Sequence, residues 1–416
     1  EGAGREPAGT CQVEVLRDVR PQVRMPDPSA DLGVTRKAEN AGVDVAVLPL
    51  SQLEKRLMRL PGTYYVGYRL WHWRVFKLAR QMHAEQPFDL VHHVSFCGYR
   101  EPSDGWKLGA PFVWGPVGGT QSFPVKFVGA LDPRGAFREL LRNVVNYWQL
   151  HFHRRIRQAA KAASVVLAAN RQVGRDLAKA FEVKPIVQLE TGVDPCCSAV
   201  REPRDPARPL RILWSGRLQP WKGLPLLLRA LAMLPPEVRY ELRVMGQGPC
   251  LRGRQRLARR LGIANHVEWI GWPDYAGQLP HYQWADLFAF TSLRDTSGTG
   301  LLEALAAGAP IIGLNHQGAA DVMADACAIA VDPSSPSVAV EGFRNAIVRL
   351  AGDAALLKSL SDGAFRRAEQ FTWERQWQVM RSIYHSLLTT AAVEAPAAPY
   401  VPTDQSAGRK PVLVEA

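Results

Sequence analysis

The sequence predicts an α/β protein built from two Rossmann-like doubly wound domains that face a central cleft. Three observations lead to the two-domain, doubly wound part of that expectation. The length of 416 residues exceeds one ordinary hydrophobic core and suits two domains of common size. From residue 206 onward, short β-rich apolar runs alternate with longer segments whose apolar residues recur at helical spacing, as in a parallel sheet with crossover helices. Hydrophobic residues at 47% and charged residues at 22% are the proportions of a globular chain, which excludes a mostly disordered or fibrous one.

In chain order, residues 1–195 form the first expected domain. Before residue 40 only 13–16 reads as a strand, so the β-loop-α unit that should open a Rossmann domain is missing or diverged. Strand-like runs follow at 43–48, 89–94, 111–114, 164–168 and 186–189. Residues 196–209, with Pro203, Pro206 and Pro209 among charges, read as a linker. The second domain, 210–371, has strands expected at 210–214, 241–245, 267–270, 286–290, 310–314 and 327–331. Helices are expected between them at 224–234, 252–261, 275–284, 301–307 and 338–350. A terminal helix within 372–390 is expected to pack back on the first domain, and the Ala- and Pro-rich tail 391–416 to be disordered.

The net charge of +12 favours an anionic partner. The basic residues form no block and accompany no zinc-finger or RNA-binding signature, so no nucleic acid partner is expected. Two helical stretches in the first half, 64–82 and 137–161, mix Tyr, Trp and Phe with Arg and Lys. Such a helix can lie on an anionic membrane surface, or it can turn its aromatics to the core and its charges to water. No apolar run approaches the roughly eighteen residues that span a bilayer, and the first residues lack the form of a signal peptide. The chain opens on Glu1 rather than Met, as a fragment or an incorrectly started frame would.

Cys11, Cys97, Cys196, Cys197, Cys250 and Cys327 show neither CxxC nor Cys/His metal spacing. A reducing, cytoplasmic setting fits them, peripheral to the inner face of a membrane if the aromatic-basic helices bind one.

The segment carrying most chemistry runs from Leu293 through Asp295, Gly298, Thr299, Gly300, Leu301 and Glu303 to Gly308 and Pro310. A turn rich in Gly, Ser and Thr before a helix leaves backbone N–H groups unpaired at the positive end of the helix dipole, which is a phosphate site. Asp295 lies in that turn and Glu303 in the helix, so the two can touch different parts of one ligand. A second segment, Ser215-Gly216-Arg217-Leu218-Gln219-Pro220-Trp221-Lys222-Gly223, follows a strand and precedes a helix. Arg217 and Lys222, five apart across that turn, are placed to clamp a diphosphate at the carboxyl edge of the sheet. Taken singly, each of these residues is as well explained as a solvated turn residue or a helix-dipole partner.

With those motifs in order, the chain resembles the retaining glycosyltransferases of family four, which have the GT-B fold. Asp295 and Glu303 reproduce the family's acidic residue, seven intervening residues and Glu, with Asp in place of the commoner first Glu. Val244-Met245-Gly246-Gln247-Gly248-Pro249, Gly271-Trp272 and Thr191-Gly192-Val193-Asp194 also resemble family elements. The resemblance covers roughly residues 88–390. It implies a nucleotide-sugar donor, UDP- or GDP-linked, as co-substrate, with no other cofactor and no metal. Glu303 would bond the ribose hydroxyls and Asp295 the sugar hydroxyls. Arg217 and Lys222 would hold the diphosphate with amides of Gly298, Thr299, Gly300 and Leu301, beside Gly216 and Gly246. Arg217, Lys222 and Asp295 would carry catalysis. The acceptor is expected to be a glycan or a lipid-linked molecule, in polysaccharide or glycolipid synthesis.

On the acceptor side, the turn Trp114-Gly115-Pro116-Val117-Gly118-Gly119-Thr120 could line the cleft through Gly118 and Gly119, or be a tight turn only. Family members often carry a His where Gly115 stands; the nearest are His92 and His93, which alternate across a strand, and His93 is the candidate. Two rivals remain at this stage: a nucleotide-sugar epimerase of the same fold, and a catalytically silent nucleotide-sugar-binding or scaffold protein.

Overall fold

The computed structural model describes residues 14–15, 44–46, 48–60, 62–94, 98–194, 201 and 203–389. The expected tail 391–416, most of the stretch before residue 44, linker residues 196–200 and 202, and Cys11, Cys97, Cys196 and Cys197 lie outside them.

In the first half, β1 (Glu14–Val15) and β2 (Asp44–Val45) pair antiparallel as a small ribbon. Then come α1 (Gln52–Arg59), α2 (Tyr64–Glu85), β3 (Val91–His93), β4 (Phe112–Val117), α3 (Pro133–Phe152), α4 (Arg154–Ala162), β5 (Val165–Ala168), α5 (Arg171–Phe181) and β6 (Ile186–Val187). Strands β3-β4-β5-β6 form a parallel four-stranded sheet in that order.

The second half runs β7 (Leu210–Ser215), α6 (Leu224–Ala232), β8 (Tyr240–Met245), α7 (Leu251–Arg260), β9 (Val267–Gly271), α8 (Tyr275–Trp284), β10 (Leu287–Phe290), α9 (Thr299–Ala306), β11 (Ile311–Leu314), α10 (Gln317–Val322), β12 (Ala328–Val331), α11 (Pro336–Gly352) and α12 (Ala354–Ala368). Its six parallel strands lie in the order β12-β11-β10-β7-β8-β9. Strand order reverses between β7 and β10, and open α/β sheets bind ligands at the carboxyl ends beside such a switch.

Both faces of this sheet are covered. Ile212 and Trp214 pack into one apolar cluster while Leu213, between them, packs into the other. A strand buried on both sides needs a continuous apolar run, and each buried Leu or Ile contributes about 1.5–3 kcal/mol. That is why these strands were readable from sequence.

Three expectations need correction. The strand at 43–48 shrinks to Asp44–Val45 and pairs with Glu14–Val15 instead of joining the four-stranded sheet, and Pro49 just beyond it has no N–H to extend a ladder. The helix expected over 137–161 is two helices, broken at His153 in extended geometry. The break lets Arg155 turn inward to Glu101 and Asp104. Nor does a turn begin at Gly115: β4 continues to Val117 with a register shift against β5, Gly118 still bridges Gly98 in parallel, and the chain leaves the sheet at left-handed Gly119.

Helix α13 (Trp373–Thr389) returns to the first half, where Ile383 and Leu387 pack with Val113, Val165, Leu167 and Ile186 of the four-stranded sheet. The carboxyl edges of the two sheets meet. Asn170, which caps α5, donates to the Thr296 carbonyl at 2.7 Å, and Arg171 pairs with Asp321 at 2.7 Å. Phe123 and Phe127, from the segment after β4, are buried in the core of the second half.

Candidate donor-binding site at the sheet switch point

The turn after β7 and the loop after β10 are laced together. Thr291 Oγ1 donates to the Lys222 carbonyl at 2.7 Å and accepts from Trp214 Nε1 at 2.9 Å, and Leu293 N donates to the Trp221 carbonyl at 2.8 Å. This frame delivers Lys222 to Asp295, whose carboxylate accepts from the Lys222 ammonium. Both side chains are partly exposed at about a fifth of their surface, 21% each. Gly216 lies alongside: a Cβ there would sit 3.8 Å from Lys222 Cδ. A Cβ on Gly246, at the end of β8, would meet the Gly216 carbonyl at 2.0 Å, so only glycine permits that approach of the two strand ends.

Helix α9 starts at Gly298, which is left-handed with φ 68°. Its first N–H groups, at Thr299 and Gly300, have no acceptor inside the helix, as at any helix start. Thr299 is exposed, Gly300 half-buried and Leu301 buried in the core. Ser297 is buried, and its hydroxyl has no partner among the described residues.

Further along α9, Glu303 accepts a hydrogen bond from the Tyr282 hydroxyl at 2.6 Å. The Tyr282 hydroxyl also lies beside Ser215, the residue before Gly216, which sets Glu303 next to the end of β7. Burial raises the Glu303 carboxyl above its ordinary range, and the Tyr282 hydrogen bond partly offsets it. Tyr282 itself is pushed well up, first by burial and then by the neighbouring carboxylate.

The Arg217 carbonyl accepts from Gln219 N at 2.8 Å, while its side chain is exposed and makes no hydrogen bond or ion pair among the described residues. Gly216, Lys222, Gly246, Asp295 and Glu303 are thus linked through direct neighbours, whereas the Arg217 guanidinium stands free at the rim.

On the other side, the segment after β4 reaches Asp295 through one bridge. Gln317 donates from Nε2 to the Ser122 carbonyl at 3.1 Å, while its Oε1 accepts from Asp295 N at 3.0 Å. The Gly118 carbonyl accepts from Tyr99 N at 3.1 Å, and Gly119 N donates to Gln121 Oε1 at 3.0 Å. Gly118 and Gly119 therefore belong to a loop held beside the Asp295 turn.

His93 does not join that loop. It sits in register with Trp114, four residues before Gly118, and is buried against His72 with ring centroids 5.2 Å apart. His92 faces the opposite side, between the Gly115 carbonyl and the Tyr384 hydroxyl, each at 2.6 Å. A carbonyl can only accept, so Nε2 of His92 carries the proton and Nδ1 accepts from Tyr384. Strand alternation sends the two imidazoles to the two faces of the sheet, and neither points along its carboxyl edge.

Several participants were not found from sequence. Tyr282, Gln317 and Asn170 come from distant elements, and no local motif marks them. The pair Arg294–Glu139, at 3.2 Å, links the Asp295 turn to α3, and the Arg294 guanidinium lies 4.6 Å from the Trp221 ring centroid.

Residues 200–348 match the family model described as Glycosyl transferases group 1. Among curated proteins, the chain is 32% identical over 195 residues to the D-inositol 3-phosphate glycosyltransferase of Jonesia denitrificans, covering 44% of each. It is 31% identical over 233 residues to D-inositol 3-phosphate glycosyltransferase 2 of Catenulispora acidiphila, covering 51% of this chain and 52% of that one. The chain thus spans about half the length of such relatives. Among solved structures, HepE of Anabaena in complex with UDP aligns with TM-score 0.56 at 18% identity, over 86% of this chain and 90% of that one. A glycosyltransferase of Rickettsia africae aligns with TM-score 0.60 at 16% identity, over 86% and 89%. The fold is GT-B.

Proposed function

We propose that this GT-B chain, with its Glycosyl transferases group 1 match over residues 200–348, transfers a sugar from a nucleotide-diphosphate donor with retention of anomeric configuration. The observation that carries the reading is the convergence at the switch point. Lys222 and Asp295 pair directly, Gly216 and Gly246 let the ends of β7 and β8 close up beside Lys222, and Glu303 accepts from Tyr282 next to the last residue of β7.

In this reading Glu303 accepts from ribose hydroxyls and Asp295 from sugar hydroxyls. Lys222, Arg217 and the amides at the start of α9 meet the diphosphate. The donor's C1–O bond breaks as the acceptor oxygen bonds to C1 on the same face, and the acceptor proton passes to the departing diphosphate. Charge builds on that leaving group, so fixed cations and amides act where the barrier is highest, and removing one such donor costs about 3–4 kcal/mol. HepE is solved with UDP and with UDP-glucose, which supports UDP as the first donor base to test.

The acceptor proposed is a glycan or a lipid-linked molecule of polysaccharide or glycolipid synthesis, held near Gly118 and Gly119. A lipid-linked acceptor requires work at a bilayer surface. Incubating the protein with UDP- and GDP-sugars and a panel of glycan and lipid-linked acceptors tests the reading. A product of retained configuration supports it. Donor binding without transfer points to a silent binding protein, and interconversion of the nucleotide sugar alone to an epimerase.

A further inference from the structure

Helix α3 is amphipathic in the inverse of the usual sense. Its inward face carries Gly135, Glu139, Asn146 and Leu150. Outward, at intervals that stay on one face, stand Phe137, Leu141, Val144, Val145, Trp148 and Phe152. Phe137, Val144, Trp148 and Phe152 are exposed at 68, 66, 59 and 62%. A surface helix ordinarily turns its apolar stripe inward and its charges to water. Here the stripe runs about 22 Å along the helix at 1.5 Å per residue.

The stripe continues onto α2, where Tyr65, Val66, Leu70 and Trp73 are exposed. Arg100 joins the two helices, donating to Tyr65 at 3.5 Å and to Gln149 at 2.7 Å. Where α2 meets α4, a cavity of about 770 Å³ opens between Trp73 and Trp106, with Arg69, Lys107 and Arg154 among its lining.

Basic residues predominate around this face, and the carboxylates at the cavity are paired. The single carboxylate of α3, Glu139, is buried and paired with Arg294, while Arg134 and Arg138 are exposed. Helix α4 holds Arg154, Arg155, Arg157 and Lys161 and no carboxylate. Arg155 is compensated by Glu101 and Asp104, whereas Arg69 and Arg154 are exposed at the cavity.

From these observations we infer that the α2–α3–α4 face docks on an anionic phospholipid bilayer. The aromatic and aliphatic stripe enters the boundary between headgroups and acyl chains, and the flanking arginines meet lipid phosphates. Apolar burial and cation–phosphate attraction are the two contributions that bind interfacial helices. A second copy is disfavoured as the occupant, because pairing this face with itself would set arginines against arginines. The inference names the membrane at which a lipid-linked acceptor would be met. Its test reads no sugar transfer, so it can fail or stand independently of the proposed activity.

The test is co-sedimentation with vesicles of phosphatidylcholine alone and of phosphatidylcholine mixed with phosphatidylglycerol. Wild type should partition to the mixed vesicles and hardly to phosphatidylcholine, with binding that weakens in salt. The double substitution Val144→Glu, Trp148→Glu should reduce partitioning by at least about tenfold. Arg69→Glu and Arg154→Glu should each reduce it about fivefold, while UDP binding stays unchanged. If the first variant does not melt cooperatively, the arginine variants, which leave the apolar stripe intact, decide the matter. Equal partitioning of all variants, or no partitioning of wild type to either vesicle, would overturn the inference. So would a dimer in light scattering that the Val144→Glu, Trp148→Glu variant dissolves without any vesicle binding.

Discussion

The Tyr282 hydroxyl donates to the Glu303 carboxylate at 2.6 Å, fastening α8 to α9 beside the last residue of β7. Ionised, a carboxylate has about four acceptor positions, and Tyr282 fills one, so Glu303 retains capacity for ligand hydroxyls. Hydrogen bonds to charged groups contribute about 1.5–3 kcal/mol each. Glu303→Gln should therefore weaken nucleotide diphosphate binding by roughly ten- to a hundredfold, read by calorimetric titration, while the melting temperature changes little.

A pH dependence follows from the burial that raises the Glu303 carboxyl. In the proposed donor site ligand hydroxyls would bond the ionised form, so affinity should be full above that group's titration and fall as pH drops through it. Because burial moves the titration upward, the fall should begin at a higher pH than an exposed carboxylate would give. Titrations between about pH 7 and pH 4 should show that loss in wild type and a flatter profile in Glu303→Gln.

Lys222 and Asp295 neutralise each other before any ligand arrives. Asp295→Asn should free the ammonium and tighten binding of the nucleotide diphosphate by about fivefold, the scale of one partly exposed ion pair. If Asp295 also orients the sugar, the same substitution should lower transfer by roughly a hundredfold. Opposite movement of affinity and rate separates that role from a merely structural one.

Away from the site, burial pushes His92 down to about 4, with the hydrogen bond to the Gly115 carbonyl opposing it, and pushes His72 to about 4 as well. For a base held below its unfolded value of 6.5, the unfolded chain takes up the proton first. Stability should be complete above about pH 6.5 and decline as pH falls toward 4, by on the order of 3 kcal/mol for His92. Denaturation midpoints across that range should show a shallower slope in His92→Gln.

The second half was read from sequence nearly strand for strand, because residues such as Leu213 and Ile212 are buried on opposite faces and force a continuous apolar run. Lys222, Asp295, Gly298 and Glu303 could be picked out because glycine-bearing turns and helix starts leave local marks. Tyr282 and Gln317 left none, since each acts through a contact between elements far apart in the chain. The packing of His93 against His72 of α2 was not legible, because strand alternation says only that two neighbouring imidazoles face opposite ways, not what each face meets. The two aromatic-basic helices allowed two orientations, and only packing could choose: α2 buries Tyr68 and Trp71, while α3 turns Trp148 and Phe152 to solvent.

Binding of a nucleotide diphosphate to wild type and to Lys222→Ala, titrated side by side at low and moderate salt, bears most directly on the proposal that cations at the sheet switch point neutralise the leaving group. Wild type should bind with salt-sensitive affinity, and the variant should bind at least about tenfold more weakly with the fold intact. Equal affinities in the two proteins would contradict it.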